Sequence, residues 1–144
     1  MPLLLPPSSP CAFCDYLAGV RPYTILDHND VTATLVTHEQ RGRGHVLVIP
    51  VRHRETVLDL TSPEQSAVMT DVVRASRAIV SAFDPDGIAV WQNNGIPANQ
   101  SVPHVHVHVA GTLSQGGTQR GDVDRLSITE TDAIADRLRP ILLE

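Results

Sequence analysis

The pattern of apolar and polar residues predicts a protein of short strands and one long helix. Five runs rich in apolar and β-branched residues, bounded by turn-forming residues, predict β-strands. They are residues 23–28, 31–37, 45–50, 88–92 and 103–111. Only Asn29-Asp30 separates the first two, which predicts a β-hairpin. The third is apolar throughout and ends in a proline, which favours a buried strand.

After the third strand, apolar residues recur every three to four positions, which predicts a long helix. Its apolar face consists of Val68, Val72, Val73, Ala75, Ile79, Val80 and Phe83. Ser62 suits the N-cap position, Pro63 the first helical position, and Gln65 would complete a capping box. A second helix is predicted at the end of the chain, over residues 128–142.

The order of these elements predicts the fold class and the domain organisation. Residues 11–19 predict a short helical turn that ends at a glycine. Strands joined mostly by hairpins, with one long helix packed on them, indicate an α+β fold with an antiparallel sheet of about five strands. Because the first ten residues are rich in Pro and Ser, we expect 1–10 to be a disordered tail and 11–144 to form a single domain.

Composition and charge narrow the functional classes. A hydrophobic fraction of 42% is typical of a globular protein. The net charge is −5 without any Lys/Arg run, which argues against sequence-independent nucleic-acid binding, because that needs a basic face. The N-terminal apolar run is three leucines, and no later stretch approaches bilayer length. We therefore expect a cytoplasmic protein with no membrane partner.

The stretch "QSVPHVHVHVAG" contains the most specific chemistry of the chain. Because side chains alternate between the faces of a strand, His104, His106 and His108 should share one face, with valines on the other. The valine face suits a core, so the histidine face predicts a site. Two alternatives are an exposed edge strand with chance histidines and a zinc site made of the three imidazoles.

Polar residues upstream of the histidines favour a phosphate site over a metal site. Asn93, Asn94, Gln100 and Ser101 offer neutral hydrogen-bond donors to a phosphate. A metal site of the cupin type would want a glutamate shortly after the histidines, and the next one is Glu130.

The same stretch resembles the motif of the histidine triad family, in which three histidines alternate with apolar residues after Gln-Ser-Val. The segments "CAFCDYLAG", "RGHVLVIPVRH" and "QNNG" occur in the order typical of the Hint-like branch, including bacterial members with a Cys-x-x-Cys zinc site. The resemblance covers about residues 11–111. It implies a nucleotidyl hydrolase or transferase that attacks the α-phosphorus of nucleotide conjugates.

The resemblance also implies roles for the histidines. His106 takes the position of the nucleophile, which forms a covalent nucleotidyl-histidine intermediate that water then hydrolyses. His108 takes the last triad position, which contacts the α-phosphate, and His45 matches another histidine of the phosphate site. No cofactor is needed for this chemistry if aimed hydrogen-bond donors stabilise the phosphoryl oxygens.

Polar and apolar positions around the triad match substrate contacts of the family. Gln100 and Ser101 match residues near the bridging oxygen and the leaving group, and Asn93 matches a phosphate contact. Phe13 and Leu47 match residues of the nucleoside pocket. The chain departs from the family at three positions. Thr37 replaces the usual Asp or Asn that binds ribose, Asn99 replaces a glycine, and the residue after the last valine in "HVAG" is neither the Pro nor the Leu of many members.

Cys11 and Cys14 supply half of a tetrahedral zinc site. His53 follows one predicted strand and His104 opens another, so antiparallel pairing of these strands would bring the two histidines together. The four residues then form a structural zinc site, as in the bacterial members with Cys-x-x-Cys. The alternatives are two small buried cysteines and a thioredoxin-like redox pair, although no βαβ unit surrounds them.

The resemblance implies a purine nucleoside phosphoramidate or a related purine nucleotide conjugate as the substrate, and a homodimer as the assembly. Two other functions remain open. One is hydrolysis of dinucleoside polyphosphates, as in the Fhit-like branch. The other is a zinc-stabilised nucleotide-binding module without enzymatic activity.

Overall fold

The computed structural model describes residues 2–142 and has an α+β architecture. Its strands are β1 (Ile25–His28), β2 (Thr32–Val36), β3 (Arg43–Pro50), β4 (Ile88–Trp91) and β5 (Val107–Gly111). Its helices are α1 (Ala12–Leu17), α2 (Ser62–Phe83) and α3 (Ile128–Leu142), with 3₁₀ turns at Val57–Asp59 and Ile96–Ala98. The strands form one antiparallel sheet in the order β1-β2-β3-β5-β4. The predicted fold class is confirmed.

The sheet is covered on both faces, and the sequence of β3 fits this because it supplies apolar side chains to both. Seven of its eight residues are buried. Val46 and Val48 pack in the core with α2 and α3, whereas Leu47 and Ile49 pack on the opposite face with α1. In the pairing of β3 with β5, Leu47 lies opposite His108. His108 therefore points to the face that carries α1.

A β-bulge precedes His45 in β3. The pairing with β5 shifts between Arg43 and Val46, and Gly44 has φ = 62°. A Cβ atom on Gly44 would lie 2.9 Å from the ring of Phe83, so both the backbone angle and the space favour glycine. The bulge changes the direction of the following side chain, which is that of His45.

The N-cap of α2 is Thr61, so the prediction of Ser62 is wrong by one residue. The Thr61 Oγ1 atom accepts the Glu64 N–H at 3.3 Å, and the Glu64 carboxylate accepts the Thr61 N–H at 2.9 Å. Pro63 therefore occupies the second helical position instead of the first, and Gln65 is not part of the capping box. Glu64 also forms a 3.0 Å ion pair with Arg54, which stabilises the capping box of Thr61 and Glu64.

The regular part of β5 is shorter than the predicted strand 103–111. It begins at Val107, because the preceding backbone groups bond elsewhere. The His104 N–H donates to the Val102 carbonyl in a turn, and the Val105 N–H donates to the Arg54 carbonyl at 2.7 Å. Only His108 of the three histidines lies in the regular strand. The predicted core role of the valines is confirmed, since Val105 and Val109 are fully buried.

The remaining predicted elements are present in slightly different lengths. The hairpin of β1 and β2 forms around Asn29, whose Oδ1 accepts the N–H groups of Val31 and Thr32. Near the N-terminus, the Leu4 carbonyl accepts the Ile96 N–H at 2.7 Å, although a disordered tail over 1–10 stays a prediction. Within residues 2–142 there is no helix with the length and apolar character needed to span a bilayer.

Candidate active site and metal centre

An open cavity of about 1070 Å³ lies beside the histidine segment. Its lining comes from three parts of the chain. The β2–β3 connection contributes Glu39 and Arg41; β4 and the segment up to β5 contribute Ile88, Ala89, Val90, Trp91, Asn93, Asn99, Ser101, His106 and His108; and the segment after β5 contributes Thr118, Gln119, Arg120 and Gly121. The cavity therefore combines apolar wall residues with a few converging polar groups, as ligand sites do.

His106 lies in this cavity with its ring orientation fixed by the backbone. It is 8% exposed, and its Nδ1 lies 2.7 Å from the His104 carbonyl oxygen. Since a carbonyl can only accept, Nδ1 carries the proton. In the neutral ring, Nε2 then holds a lone pair. Burial lowers the pKa of His106, which favours this neutral form.

His108 and His45 form a hydrogen-bonded pair in which each ring carries its proton on Nε2 instead of Nδ1. The Arg41 N–H donates to His45 Nδ1 at 3.0 Å, so the His45 proton resides on Nε2. This Nε2–H donates to His108 Nδ1 at 3.0 Å, which places the proton of neutral His108 on its own Nε2. Burial lowers the pKa of His45 to about 3 and that of His108 to about 2, so both rings are neutral at pH 7.

The histidine segment thus presents two different ring nitrogens. Through His106 it offers a lone pair on Nε2, and through His108 it offers an N–H donor on Nε2. The two rings are adjacent, with centroids 5.1 Å apart. A nucleophile beside a hydrogen-bond donor can attack an electrophilic centre and stabilise the negative charge on its oxygens.

Trp91 supports this pair of histidines, a role that no sequence pattern indicated. It lies opposite His108 in the pairing of β4 with β5, and their rings stack at 4.6 Å with an interplanar angle of 5°. The register of two strands separated by fifteen residues, 92–106, is not readable from the sequence, so this contact could not be predicted.

Three of the predicted polar residues differ in their placement. Ser101 and Asn93 line the cavity, and one amide hydrogen of Asn93 is used to bond the Ala98 carbonyl at 2.7 Å. Gln100 is only 3% exposed. Its Oε1 accepts the Gly95 N–H, and its Nε2 donates to the carbonyls of Glu55 and Val102. Gln100 therefore holds the loop that carries Ser101 and does not line the cavity.

Asn99, the position at which the family has glycine, has φ = 70° and ψ = 29°. This left-handed conformation is adopted most easily by glycine and is tolerated by asparagine. The departure from the family thus preserves the backbone and adds an amide side chain to the cavity lining.

None of the three predicted nucleoside-pocket residues lines the cavity of His106 and His108. Phe13 is buried, with its ring centroid 5.7 Å from that of His104 and 5.1 Å from that of His106. Leu47 is buried opposite His108. Thr37 is 7% exposed, and its Oγ1 accepts the Glu39 N–H. Their role in nucleoside binding stays a prediction.

Cys11, Cys14, His53 and His104 come together, with one ligand atom of each within 4.8 Å of all the others. His104 Nδ1 is 3.4 Å from Cys11 Sγ and 3.6 Å from Cys14 Sγ, and His53 Nδ1 is 3.4 Å from Cys14 Sγ. For a tetrahedral ion with Zn–S and Zn–N bonds of ordinary length, the N···S edge is about 3.6 Å. The four residues thus have the spacing of a metal site.

The surroundings of these ligands also suit a cation. His104 Nε2–H donates to the Pro50 carbonyl at 2.8 Å, which leaves the Nδ1 lone pair facing the two sulfurs. Burial, together with the neighbouring Cys11, raises the pKa of the Cys14 thiol to about 11. Two adjacent thiolates are therefore unfavourable without a positive ion to stabilise them.

Comparison with known proteins agrees with this geometry. The HIT domain model matches residues 18–114. Protein hit of Bacillus subtilis is 33% identical over 106 residues, which cover 74% of this chain and 73% of that protein. The adenosine 5′-monophosphoramidase hnt1 of Schizosaccharomyces pombe is 32% identical over 99 residues, 69% of this chain and 71% of that protein.

A solved structure that contains zinc shares the fold. The zinc-bound histidine triad family protein of Mycobacterium smegmatis superposes with a TM-score of 0.78 at 25% identity, over 95% of this chain and 96% of that one. The match of the family model, the identity with the curated relatives and the shared fold lead to the same conclusion. The chain belongs to the histidine triad (HIT) family.

Proposed function

We propose that the protein is a nucleotidyl hydrolase that acts on the α-phosphate of purine nucleotide conjugates, with nucleoside phosphoramidates as substrates. The observation that supports this most directly is the pair of ring nitrogens in the cavity. His106 offers a lone pair because its proton is bonded to the His104 carbonyl, and His108 offers a proton because His45 donates to its other nitrogen.

In the proposed first step, His106 Nε2 attacks the α-phosphorus and forms a P–N bond while the bond from phosphorus to the leaving group breaks. His108 Nε2–H stabilises the phosphoryl oxygens. Asn93 has a second amide hydrogen for the same purpose, and Ser101 is assigned to the bridging atom and the leaving group. An amine leaving group takes up a proton from solvent in the open cavity as it departs.

In the second step, a water molecule attacks the phosphorus of the nucleotidyl-histidine. The P–N bond breaks, the electron pair returns to His106 Nε2, and a nucleoside monophosphate is released. The rest of the site must keep His106 neutral and correctly oriented through both steps. Its buried position and its bond to the His104 carbonyl supply these two conditions.

We also propose that the ion held by Cys11, Cys14, His53 and His104 is zinc and that its role is structural. Zinc prefers this donor set, and it would connect α1 to the segment that opens β5. All four protein ligands would be used, so no position would remain for a substrate. The three residues of the phosphate site, His106, His108 and His45, lie outside the cluster.

The phosphoramidate preference rests on the similarity to the phosphoramidase of Schizosaccharomyces pombe. Dinucleoside polyphosphates are a second candidate, because about 1070 Å³ is at the upper limit of ordinary ligand pockets. The homodimer and the cytoplasmic localisation stay predictions. For the homodimer, β4 ends the sheet with Val90 48% exposed, which is compatible with pairing of two subunits.

The decisive experiment compares His106→Ala with His28→Ala, a control on the exposed end of β1. With adenosine 5′-phosphoramidate as substrate, we expect turnover to fall at least about 10³-fold in His106→Ala and to stay unchanged in the control, since loss of the nucleophile removes the covalent route. A folded His106→Ala protein with wild-type turnover would exclude the proposed nucleophile. A nucleotide-binding module would bind AMP in both variants and turn over the substrate in neither.

A further inference from the structure

The segment Thr118–Gly121, which no motif of the family accounts for, forms one wall of the histidine cavity. It is held there by a single residue of the β2–β3 connection. The Arg41 carbonyl accepts the Gln119 N–H at 2.7 Å, and the Arg41 guanidinium donates to the carbonyls of Gln119 and Gly121. The same residue donates its own N–H to His45. The wall and the His45–His108 pair are thus fixed by one residue.

Arg120 is the cation of this wall that is free to meet a ligand. The guanidinium of Arg41 bonds two carbonyls and lies 3.8 Å from the Glu39 carboxylate. Arg120 lines the same cavity, is exposed, and makes no hydrogen bond or ion pair with the part of the chain described, residues 2–142. Since the Arg41 and Glu39 charges compensate each other, Arg120 leaves the cavity lining with one net positive charge.

The position of Arg120 suits the leaving group better than the phosphate under attack. In a displacement at phosphorus, the nucleophile and the leaving group lie on opposite sides. His106 is buried in the lining of the cavity, so a leaving group on the far side of the phosphorus would point away from His106 and towards solvent. Arg120 lines the same cavity and is exposed to solvent.

We propose that Arg120 determines specificity for nucleotide conjugates whose leaving group is itself an anion, a phosphate or a sulfate. This inference rests on the proposed function and extends its substrates beyond phosphoramidates. When His106 Nε2 attacks, the bond between the α-phosphorus and the bridging oxygen breaks, and the electron pair remains on that oxygen. Sulfate leaves as a stable anion without a proton, and phosphate leaves as hydrogen phosphate, with a proton from its own β-phosphate group or from solvent in the open cavity. The guanidinium stabilises the departing charge and can bond two of its oxygens.

The first test measures equilibrium binding and does not depend on turnover. AMP and α,β-methylene-ADP share the α-phosphate, but only the second carries a further anionic group in the position of the leaving group. We expect Arg120→Gln to weaken binding of α,β-methylene-ADP about tenfold and binding of AMP less than threefold. The matched control is Arg77→Gln, an exposed arginine of α2 outside this cavity, which should change neither affinity. Equal changes for the two ligands, or no change, would overturn the proposal.

The second test compares adenosine 5′-phosphosulfate, ADP and adenosine 5′-phosphoramidate as substrates. In Arg120→Gln we expect kcat/KM to fall about tenfold for the conjugates with anionic leaving groups and to change little for the phosphoramidate. The ratio between ADP and the phosphosulfate identifies which anion is preferred. If the wild type turns over none of the three but binds α,β-methylene-ADP through Arg120, the proposed function fails and the anion site stands.

Discussion

His104 and His106 are two residues apart, yet the fold directs them to different chemistry. Each ring is anchored by one N–H to a backbone carbonyl, but through opposite nitrogens. His104 bonds the Pro50 carbonyl through Nε2 and turns Nδ1 to the cysteine sulfurs. His106 bonds the His104 carbonyl through Nδ1 and leaves Nε2 for the cavity. The anchored nitrogen thus decides whether the remaining nitrogen of the ring faces the cysteine sulfurs or the cavity.

The two sites are also physically connected. The carbonyl of His104 is the acceptor that fixes the ring of His106, and the ring of Phe13 contacts both. Cys11 and Cys14 flank Phe13 in the sequence, so the metal ligands and this aromatic contact belong to the same short segment. A metal ion at His104 would therefore stabilise the backbone that orients His106. Variants that change thermal stability and turnover separately would test whether the His104 cluster and the His106 cavity have these different roles.

The largest effect should come from removing the metal ligands. We expect about one zinc per chain in the wild type and its loss in Cys11→Ser, because a tetrahedral structural site needs all four ligands. Loss of the ion should destabilise the fold by at least about 3 kcal/mol, which corresponds to roughly 6–12 °C in Tm. Metal analysis and thermal unfolding measure both quantities. His28→Ala is the control, and a metal-free wild type purified without chelator would contradict the assignment.

An intermediate effect should come from His45, which orients His108 beside the cavity. His45→Phe keeps an aromatic ring but removes the N–H that orients His108. We expect kcat/KM for adenosine 5′-phosphoramidate to fall about 10–100-fold, since the donor to the phosphate loses its fixed tautomer. Metal content should remain that of the wild type. A variant that loses metal and activity together would show that the two sites are not separable.

The last effect concerns the pH dependence of stability. The folded state lowers the pKa values of His45 and His108 to about 3 and about 2, whereas in the unfolded chain both are near 6.5. Below that value the unfolded state binds more protons, so stability is full above about pH 6.5 and falls as the pH decreases towards the folded pKa values. The expected slope is about 1.4 kcal/mol per pH unit for each group.

Unfolding with denaturant at several pH values between 7 and 4.5 measures this dependence. Acid also protonates the Cys and His ligands of the proposed metal site in both proteins. The informative quantity is therefore the difference in slope between the wild type and His45→Phe. In His45→Phe, the free energy of unfolding should change less steeply with pH, by about 1.4 kcal/mol per pH unit, because one titrating group has been removed. Equal slopes in the wild type and the variant would mean that His45 is not held neutral by burial.

Two sequence interpretations depended on partners that only the fold supplies. Ser62 with Gln65 and Thr61 with Glu64 both fit a capping box, and the ion pair of Glu64 with Arg54 favours the second. Gln100 can donate either to a substrate or to the backbone, and its burial against the carbonyls of Glu55 and Val102 decides this in favour of the backbone. In both cases the deciding partner is a residue distant in the sequence or a carbonyl whose position depends on the fold.

The sequence by itself determined the strands, the long helix, the histidine motif and the types of the four metal ligands, because apolar periodicity and residue chemistry are local properties. Only the tertiary structure decided which nitrogen of each histidine faces which site. That choice depends on the Pro50 carbonyl for His104 and on the Arg41 N–H for His45, groups that local patterns do not position. It also brought Arg120 into the cavity of His106, because the loop after β5 returns to Arg41 beside the start of β3.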